Sequence, residues 1–577
     1  MERRGRIVAV LLLMGLGFAL VALRLVYLQV YQRAELTSRA ERQQERIVKI
    51  ESKRGTIYDR TGRELAISLD MSSVYGVPAA VDNPRQLAQQ LASILREDPR
   101  GLERRLAGDK QFVWLSRKVE PAKAEKVKDL GAKEIGLKIE ARRFYPKKTL
   151  AGTVLGFTGM DNEGLEGLER AYDKVLRGVN GWVLAEKDAV GRTVFPGGPG
   201  YQYQQPKPGN DLVLTIDEVI QHIAEKELEA VLVSSRAKGG VCLVMNPRTG
   251  EVLALSVRGT PASRPVFNPN EPQRSKPAEW RNRVVTDAFE PGSIFKPFLA
   301  AAALEERVVH PLERFDCSAG KIQLANRTIS DAHKNGVLTF TDVIAESSNV
   351  GTIKVAQRLG KERFARYITA FGFGKKTGVD LPGEISGQLQ DYRLWSGVSI
   401  GSIAIGQEIG VTPMQVAAAY CALANGGTLV KPYLVSEIID RGNGGGKKFQ
   451  PQTMGRAITE ETCAKVNTML QRVVETGTGQ KARPAGYTAA GKTGTAQKID
   501  QRTGTYSQKD YVSSFVGFAP ARDAKLVILV MVDSPEGADH YGGTVAGPVF
   551  KAVAEQSLAY LQVTPDDRGG RMLLVTR

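Results

Sequence analysis

The sequence predicts a mixed α/β protein. We expect one membrane-spanning helix, then an elongated α+β region, then a large domain with a mixed sheet flanked by helices. Three observations support this: an uncharged apolar run at 7–23, a Pro-, Gly- and Gln-rich segment near 196–210, and strand patterns at both ends of the following region with helical patterns between them. A chain of 577 residues is expected to form two or three domains.

The N-terminal residues are expected to form a retained membrane anchor. Three arginines among the first six residues precede the apolar run Ile7 to Leu23, which spans about 26 Å as a helix, near the minimum for a bilayer. No small-x-small cleavage site follows, so an anchor is favoured over a cleaved signal peptide. The basic N-terminus is expected to stay in the cytoplasm. We therefore expect a single-pass protein of the cytoplasmic (inner) membrane, with the residues beyond about 35 outside, where no ATP is available.

We predict four segments along the chain. They are a cytoplasmic tip with the anchor at 1–35, a first domain at 36–205, a larger domain at 206–565 and a polar tail at 566–577. Local patterns predict, in order, a strand–turn–strand at 54–66, mostly helix over 84–131, an amphipathic helix at 164–178, a helix at 217–235, hairpins at 239–257 and 513–533, a flexible loop at 441–449 and a final helix at 545–561.

Charge and cysteine content exclude few functions by themselves. The net charge is +17, but the basic residues are scattered and form no recognition motif, so no nucleic-acid partner is predicted. An anionic membrane surface or an acidic polymer explains the charge equally well. The four cysteines form no C-x-x-C pair and the four histidines are far apart, so no metal site is predicted. Cys242 and Cys421 lie in apolar runs and are expected to be buried thiols, although a disulfide stays open.

The stretch FEPGSIFKPF, residues 289–298, combines Ser293, Lys296 and Pro297. Proline is tolerated in the first turn of a helix, so Pro297 indicates a helix that begins at about Ser293. Lys296 then lies one turn on, on the same face. A serine needs a base to become a nucleophile, and a lysine kept neutral by burial and neighbouring cations can be that base. Alone, however, this common spacing is better explained by an N-cap serine and a solvated lysine.

Two further motifs make the chemical interpretation specific. Ser347-Ser348-Asn349 follows Ser293 by 54 residues, and Lys492-Thr493-Gly494-Thr495 comes later. Ser-x-x-Lys, Ser-x-Asn and Lys-Thr-Gly, in this order, are the set found in penicillin-binding proteins and class A β-lactamases.

The residue types suit acyl transfer. Ser347 can relay a proton between Lys296 and a leaving amine, and Asn349 can hydrogen-bond a substrate amide. Lys492 adds a positive charge that favours neutral Lys296 and attracts a carboxylate.

The third motif is predicted to form a substrate-binding strand. Thr493 and Thr495 are two residues apart, so their hydroxyls share one face, and Gly494 leaves room for a close backbone approach. An extended peptide can pair with such an edge strand. We expect the backbone N–H groups of Ser293 and Thr495 to form the oxyanion hole.

The chain resembles the class B penicillin-binding proteins over nearly its whole length. The resemblance rests on segments such as RGTIYDRTGRELA, RFYP, MNPRTGEVLAL, FEPGSIFKPF and YGGTVAGPVF. The SSN and GKTGTAQ segments resemble the division-specific, FtsI-like branch. The elongation branch usually carries an acidic residue instead of that Asn, and Lys-Ser-Gly. Sporulation relatives are similar but carry C-terminal PASTA domains, for which no room is expected here.

The resemblance implies a non-catalytic pedestal at 36–205 and an acyl-serine transpeptidase domain at 206–565. It implies that Ser293 attacks the penultimate D-Ala of a D-Ala-D-Ala stem peptide, and that an amine on a neighbouring stem peptide resolves the acyl-enzyme during septum formation. It also implies acylation by β-lactam antibiotics and no metal or organic cofactor. The partners implied are a SEDS-type glycan polymerase and other divisome membrane proteins.

Other interpretations stay open at this point. An elongation or sporulation transpeptidase fits most of the same segments. A D,D-carboxypeptidase or β-lactamase transfers the acyl group to water, but such enzymes rarely carry a pedestal of this size. A non-enzymatic scaffold is disfavoured because all three motifs are intact.

Overall fold

A computed structural model describes residues 2–36, 45–187, 193–194, 202–259, 266–442, 444–500, 502–537 and 539–567. The chain divides into two compact units: 1–53, 70–142 and 178–208 form the smaller, and 54–69, 143–177 and 209–577 form the larger. The mixed α/β prediction is confirmed for the described residues. The linear domain boundaries stay a prediction.

The smaller unit begins with the apolar helix Glu2–Val26, which continues as the π-helical turn Tyr27–Tyr31. By length and composition, the helical stretch from Arg3 to Tyr31 is able to cross a membrane. The remaining helices are Pro78–Ala80 (3₁₀), Pro84–Leu95, Pro99–Leu106 and Pro121–Asp129, and the strands are Glu45–Ile50, the end of Glu64–Gly76, Val113–Val119, most of Ile135–Phe144, Gly181–Lys187, Thr193–Val194 and Tyr203–Gln204.

The prediction of mostly helix over 84–131 is wrong at Val113–Val119, which is a strand. It pairs antiparallel with the end of Glu64–Gly76, placing Trp114 opposite Tyr75. The two rings meet edge to face, with centroids 6.5 Å apart. A cross-strand aromatic contact of this kind stabilises a strand that a local pattern does not reveal.

The larger unit is built on a five-stranded antiparallel sheet. Its strands are β1 (Gly239–Met245), β2 (Val252–Gly259), β3 (Ala490–Ile499), β4 (Tyr506–Ala519) and β5 (Leu526–Asp533), in the spatial order β2-β1-β5-β4-β3. Both predicted hairpins, β1–β2 and β4–β5, are therefore confirmed. β3 lies at one edge of this sheet.

Alternating residues of β1 supply two separate cores, one on each face of the sheet. Val241, Leu243 and Met245 belong to one hydrophobic cluster, and Cys242 and Val244 belong to the other. This is the two-residue period of a strand that is covered on both faces.

Three helices flank the two serine motifs: α1 (Lys296–Glu305) follows Ser293, and α2 (Phe340–Ala345) and α3 (Asn349–Leu359) lie on either side of Ser347 and Ser348. α1 is buried all round from Lys296 to Leu304, so it is the central helix of the first cluster. The other helices are Gly152–Leu155, Gly167–Ala171, Asp173–Leu176, Glu218–Ser234, Pro272–Arg274 (3₁₀), Pro277–Trp280, Arg283–Thr286, Gly292–Phe295 (3₁₀), Lys361–Ala370, Tyr392–Leu394 (3₁₀), Ser399–Ala404, Pro413–Ala424, Glu460–Glu475, Gln480–Ala482 (3₁₀), Gly542–Val545 and Gly547–Tyr560.

The remaining strands of the larger unit form a second sheet and three short pairs. They are Ile57–Tyr58, the start of Glu64–Gly76, the last residues of Ile135–Phe144, Asp211–Leu214, Val435–Ile439 and Gly446–Lys448, with pairs Arg314–Asp316/Val337–Thr339, Lys321–Leu324/Arg327–Ser330 and Thr428–Val430/Thr453–Arg456.

Two local predictions in this unit need correction. The amphipathic helix expected at 164–178 is two short helices, because Tyr172 has non-helical backbone angles between them. The loop expected at 441–449 contains a short strand, since Gly446–Lys448 pairs with Val435–Ile439. All four cysteines are free and buried, which confirms the expectation for Cys242 and Cys421.

Candidate active site

The α-helix begins three residues later than predicted, at Lys296 instead of Ser293. Gly292–Phe295 is a 3₁₀ turn, and the α-helix begins at Lys296, so Pro297 still lies in its first turn. Gly292 has φ +58° and its N–H donates to the carbonyl of Gly406 at 3.0 Å. A Cβ on Gly406 would lie 2.1 Å from the Gly292 oxygen, so glycine there allows the backbone that presents Ser293 to sit close.

Lys296 is fully buried and is held by the second motif. Its Nζ donates to the carbonyl of Ser347 at 2.6 Å, to Oγ of Ser347 at 3.2 Å and to Oδ1 of Asn349 at 2.7 Å. Burial lowers the pKa of Lys296 to about 7, against the opposing charge of Asp331. The side chain is therefore available as a neutral amine near pH 7. Among the described residues, no hydrogen bond joins Ser293 Oγ to Lys296.

Asp331 holds the second motif in place, although it belongs to no motif itself. Its carboxylate accepts hydrogen bonds from Ser348 Oγ at 2.8 Å, from the Asn349 N–H at 2.5 Å and from the Val350 N–H at 2.9 Å. These N–H groups belong to the first two residues of α3. They have no partner within the helix, and the carboxylate satisfies them. The neighbouring Ser330 carbonyl accepts from Nδ2 of Asn349 at 2.8 Å, so the amide turns its Oδ1 to Lys296.

Ser347 has φ +59°, a conformation that is uncommon for a residue with a side chain. Strained residues persist where the surrounding structure determines them, and they cluster at functional sites. Here the bonds to Lys296 on one side and the capped helix start on the other determine it. The arrangement turns both Ser347 oxygens to Lys296.

Lys492 lies on β3, is fully buried, and lacks an acidic hydrogen-bond partner among the described residues. Its Nζ lies 3.2 Å from the Thr493 carbonyl and 3.3 Å from Oγ1 of Thr493. Burial holds the pKa of Lys492 well below its usual range, and the positive charge of Lys296 lowers it further, while Glu346 opposes both. The two lysines are therefore electrostatically coupled, although 196 residues separate them in sequence.

The two threonines of β3 point to the same face, as predicted. Oγ1 of Thr493 lies 2.8 Å from Oγ1 of Thr478, and Oγ1 of Thr495 accepts the Gly542 N–H at 3.0 Å. A Cβ on Gly494 would point the other way, 2.4 Å from Ser514 Oγ and 2.9 Å from Ile294. Glycine therefore lets β3 pack directly on the Ser293 turn.

A cavity of ≈ 460 Å³ lies beside the Ser293 turn. Glu290 and Ala496 line it, together with Lys498 and Asp533. Glu290 accepts the Glu408 N–H at 2.9 Å and the Tyr506 hydroxyl at 3.2 Å, and burial raises its pKa. Sequence reasoning missed this carboxyl because only tertiary structure brings it to the cavity.

The structure thus brings together Lys296, Ser347 and Asn349 by direct contact. Lys492 interacts with Lys296 electrostatically. Gly494 lies close to Ile294, which follows Ser293 in the chain. The oxyanion hole of Ser293 and Thr495 stays a prediction. Asp331 and Thr478 were missed by sequence reasoning, since neither is part of a recurring spacing.

Residues 240–555 match the penicillin binding protein transpeptidase domain, and residues 49–214 match the penicillin-binding protein dimerisation domain. The chain belongs to the class B penicillin-binding proteins. As a member of this family it is a serine-type D,D-transpeptidase, and the family's substrates are peptidoglycan stem peptides and its inhibitors β-lactams.

Several relatives match this chain over nearly its whole length. Stage V sporulation protein D of Bacillus subtilis is 37% identical, covering 97% of this chain and 86% of its own length. Peptidoglycan D,D-transpeptidase FtsI of Escherichia coli is 31% identical, covering 96% and 91%. The crystal structure of penicillin binding protein 3 from Mycobacterium, complexed with aztreonam, has TM-score 0.69 and 28% identity, covering 90% of this chain and 98% of that chain.

Proposed function

We propose that this class B penicillin-binding protein cross-links peptidoglycan stem peptides at the division septum through an acyl-enzyme on Ser293. The observation that carries the proposal is the cluster of Lys296, Ser347 and Asn349, held one turn from Ser293. It supplies a neutral amine and a relay hydroxyl in a buried site.

In the proposed acylation, neutral Lys296 takes the proton of Ser293 Oγ, which attacks the penultimate D-Ala carbonyl. The N–H groups of Ser293 and Thr495 stabilise the oxyanion. Ser347 then passes the proton from Lys296 to the leaving D-Ala nitrogen. The Ser347 Oγ distance of 3.2 Å from Lys296 Nζ supports this path.

Lys492, Thr493 and Thr495 are proposed to bind the donor's terminal carboxylate and backbone. An anion restores the counter-charge that buried Lys492 lacks, which favours its protonated form. Since β3 is an edge strand, the donor peptide can extend along it. Asn349 is proposed to orient a donor amide. The amine of a second stem peptide then attacks the ester, an amide forms, and Ser293 regains its proton.

Domain assignment and location follow the same proposal. We assign 1–35 to the anchor with a cytoplasmic N-terminus, 36–205 to the pedestal, 206–565 to the extracytoplasmic transpeptidase domain and 566–577 to the tail. The apolar N-terminal helix supports the anchor. We propose contacts with a SEDS-type glycan polymerase and other divisome membrane proteins through the anchor and pedestal.

The septal role is supported by SSN and KTG in the serine and lysine motifs, as in the division branch. The similar proteins include both a sporulation protein and FtsI, so an experiment in cells is needed to distinguish the two roles. Depletion followed by microscopy is expected to give filaments with blocked septa. Rounded cells would instead assign the enzyme to lateral-wall growth, and a defect confined to sporulation would assign it to spore formation.

The transferase step is tested on the purified full chain in detergent with a D-Ala-D-Ala stem peptide and a second peptide that carries a free amine. We expect release of D-Ala together with a cross-linked product that mass spectrometry detects. Release of D-Ala with only the hydrolysed donor would identify a carboxypeptidase.

A further inference from the structure

Glu346 lies between two residues that are both fixed to the active-site cleft. On one side, the Ala345 carbonyl accepts the Thr478 N–H at 3.2 Å, and Thr478 in turn contacts Thr493 of β3. On the other side, the Ser347 carbonyl accepts from Lys296. The backbone of Glu346 is itself anchored, because its N–H donates to the Asp342 carbonyl at 2.8 Å. Glu346 therefore occupies a fixed position at the cleft, directly before the relay serine.

The carboxylate of Glu346 is exposed and unengaged. In the part of the chain that the structure describes, it has neither a hydrogen bond nor an ion pair. Its charge nevertheless reaches the cleft, since it acts on the ammonium of Lys492. Asp331, the carboxylate that acts on Lys296, is by contrast occupied by Ser348 and the start of α3. Of these two carboxylates, Glu346 is the one with free acceptor capacity.

The chemistry of acyl transfer brings the acceptor to Ser347, the residue that follows Glu346. The departing D-Ala nitrogen and the attacking amine occupy the same side of the acyl carbon, because the second step reverses the geometry of the first. The relay hydroxyl of Ser347 must reach that nitrogen in both steps. An incoming amine therefore passes Ser347, and Glu346 is its immediate neighbour in the chain.

We propose that Glu346 binds the acceptor substrate as a cation, by pairing with the ammonium form of its amine at the mouth of the cleft. This inference rests on the proposed transpeptidase function. The ammonium gives one proton to solvent, which reaches the exposed Glu346, before its nitrogen attacks the Ser293 ester. The proposal therefore concerns capture of the acceptor and leaves the chemical steps unchanged. The ligand class is a primary ammonium group on a peptide.

The negative charge of Glu346 offsets the positive charge that the lysines bring to the cleft. Lys296 and Lys492 lie buried there. Each of them repels an approaching cation when it carries a proton. An exposed carboxylate at the entrance offsets this repulsion and raises the local concentration of cationic acceptors. Because the site is exposed, the effect is modest and falls as salt rises.

The test uses the full chain in detergent, a D-alanyl thioester as donor, and two competing acceptors. One is a peptide with a free primary amine, and the other is methanol, which has no charge. For Glu346→Gln we expect the KM for the amine to rise about three- to fivefold at low salt relative to wild type. The preference for amine over methanol is expected to fall by the same factor, and Glu346→Lys is expected to lower it further.

Glu362→Gln is the matched control, since Glu362 is an exposed glutamate of the same unit on another helix. It is expected to retain the wild-type preference. An unchanged amine-to-methanol ratio in Glu346→Gln, with a measurable acyl-enzyme, would overturn the role of Glu346 alone. Absence of any acyl-enzyme in the wild type would instead overturn the proposed function.

Discussion

Nζ of Lys296 lies 2.6 Å from the main-chain oxygen of Ser347 and 3.2 Å from its hydroxyl. One side chain thereby joins the Ser-x-x-Lys and Ser-x-Asn motifs. The contact places the proposed base and the proposed relay within one proton transfer of each other. It also explains why Ser347 tolerates a positive φ, because the left-handed turn is what directs both oxygens to the lysine.

The rate of acylation is expected to rise with pH through about 7. Burial lowers the pKa of Lys296 from its ordinary value near 10.5 to about 7, and a base acts in its unprotonated form. The rate constant for acylation by penicillin is therefore expected to increase from pH 5.5 and level off above about 8. Stopped-flow measurement with a fluorescent penicillin gives the profile. A rate that is flat across this range would contradict Lys296 as the titrating base.

Asp331→Asn is expected to slow acylation and to move its pH midpoint down. The negative charge of Asp331 raises the pKa of Lys296, so removing it lowers that pKa further. Losing the charged hydrogen bonds from Ser348 and Asn349 to Asp331 costs about 1.5–3 kcal/mol. If the transition state for acylation loses all of this energy, the rate falls roughly tenfold or more.

The control for Asp331 is Asp217→Asn, which removes a carboxylate that caps another helix of the same unit. It is expected to lower stability and leave the pH midpoint in place. An Asp331→Asn enzyme that is merely less stable, with the wild-type midpoint, would show that the residue has a structural role only.

Gly494→Ala is expected to reduce acylation and stability together. Its Cβ would fall 2.4 Å from Ser514 Oγ and 2.9 Å from Ile294, which follows the proposed nucleophile. Overpacking of this kind costs about 1–3 kcal/mol. Thermal unfolding and penicillin labelling report the two effects. Gly445→Ala, where nothing lies within 4 Å, is the control, and wild-type behaviour of Gly494→Ala would contradict the close packing of β3.

Glu169→Gln is expected to destabilise the larger unit by about 3–5 kcal/mol, because it leaves buried Arg143 without its counter-charge and removes one of the two carboxylates that pair with buried Arg54. Arg54 and Glu169 are 2% and 0% exposed, and Arg143 donates to the same carboxylate at 2.6 Å. Urea titration of the full chain measures the change. The exposed pair of Glu461 and Lys465 is the contrast, where Glu461→Gln is expected to leave the stability close to that of the wild type. Equal losses would contradict a structural role for the buried network.

The sequence was informative where chemistry imposes a spacing. Ser293 and Lys296 had to share a face of one turn, and Pro297 indicated where that turn begins. The hairpins β1–β2 and β4–β5 followed from apolar runs around short turns. Thr493 and Thr495 followed from the two-residue period of a strand.

Other features depend on contacts between distant segments, which leave no local pattern. Val113–Val119 is a strand because Trp114 packs against Tyr75 of its partner. Asp331 reaches α3 from a loop 17 residues before Ser348. The buried state of Lys492, and therefore its lowered pKa, follows from packing that spacing does not encode.

The central claim is tested most directly by the mass of the protein after reaction with penicillin. For the wild type we expect one covalent penicilloyl group, located by peptide mass spectrometry on the peptide that contains Ser293. Ser293→Ala is expected to gain no mass while retaining the wild-type fold by circular dichroism. A penicilloyl group on folded Ser293→Ala, or on another serine of the wild type, would contradict the account.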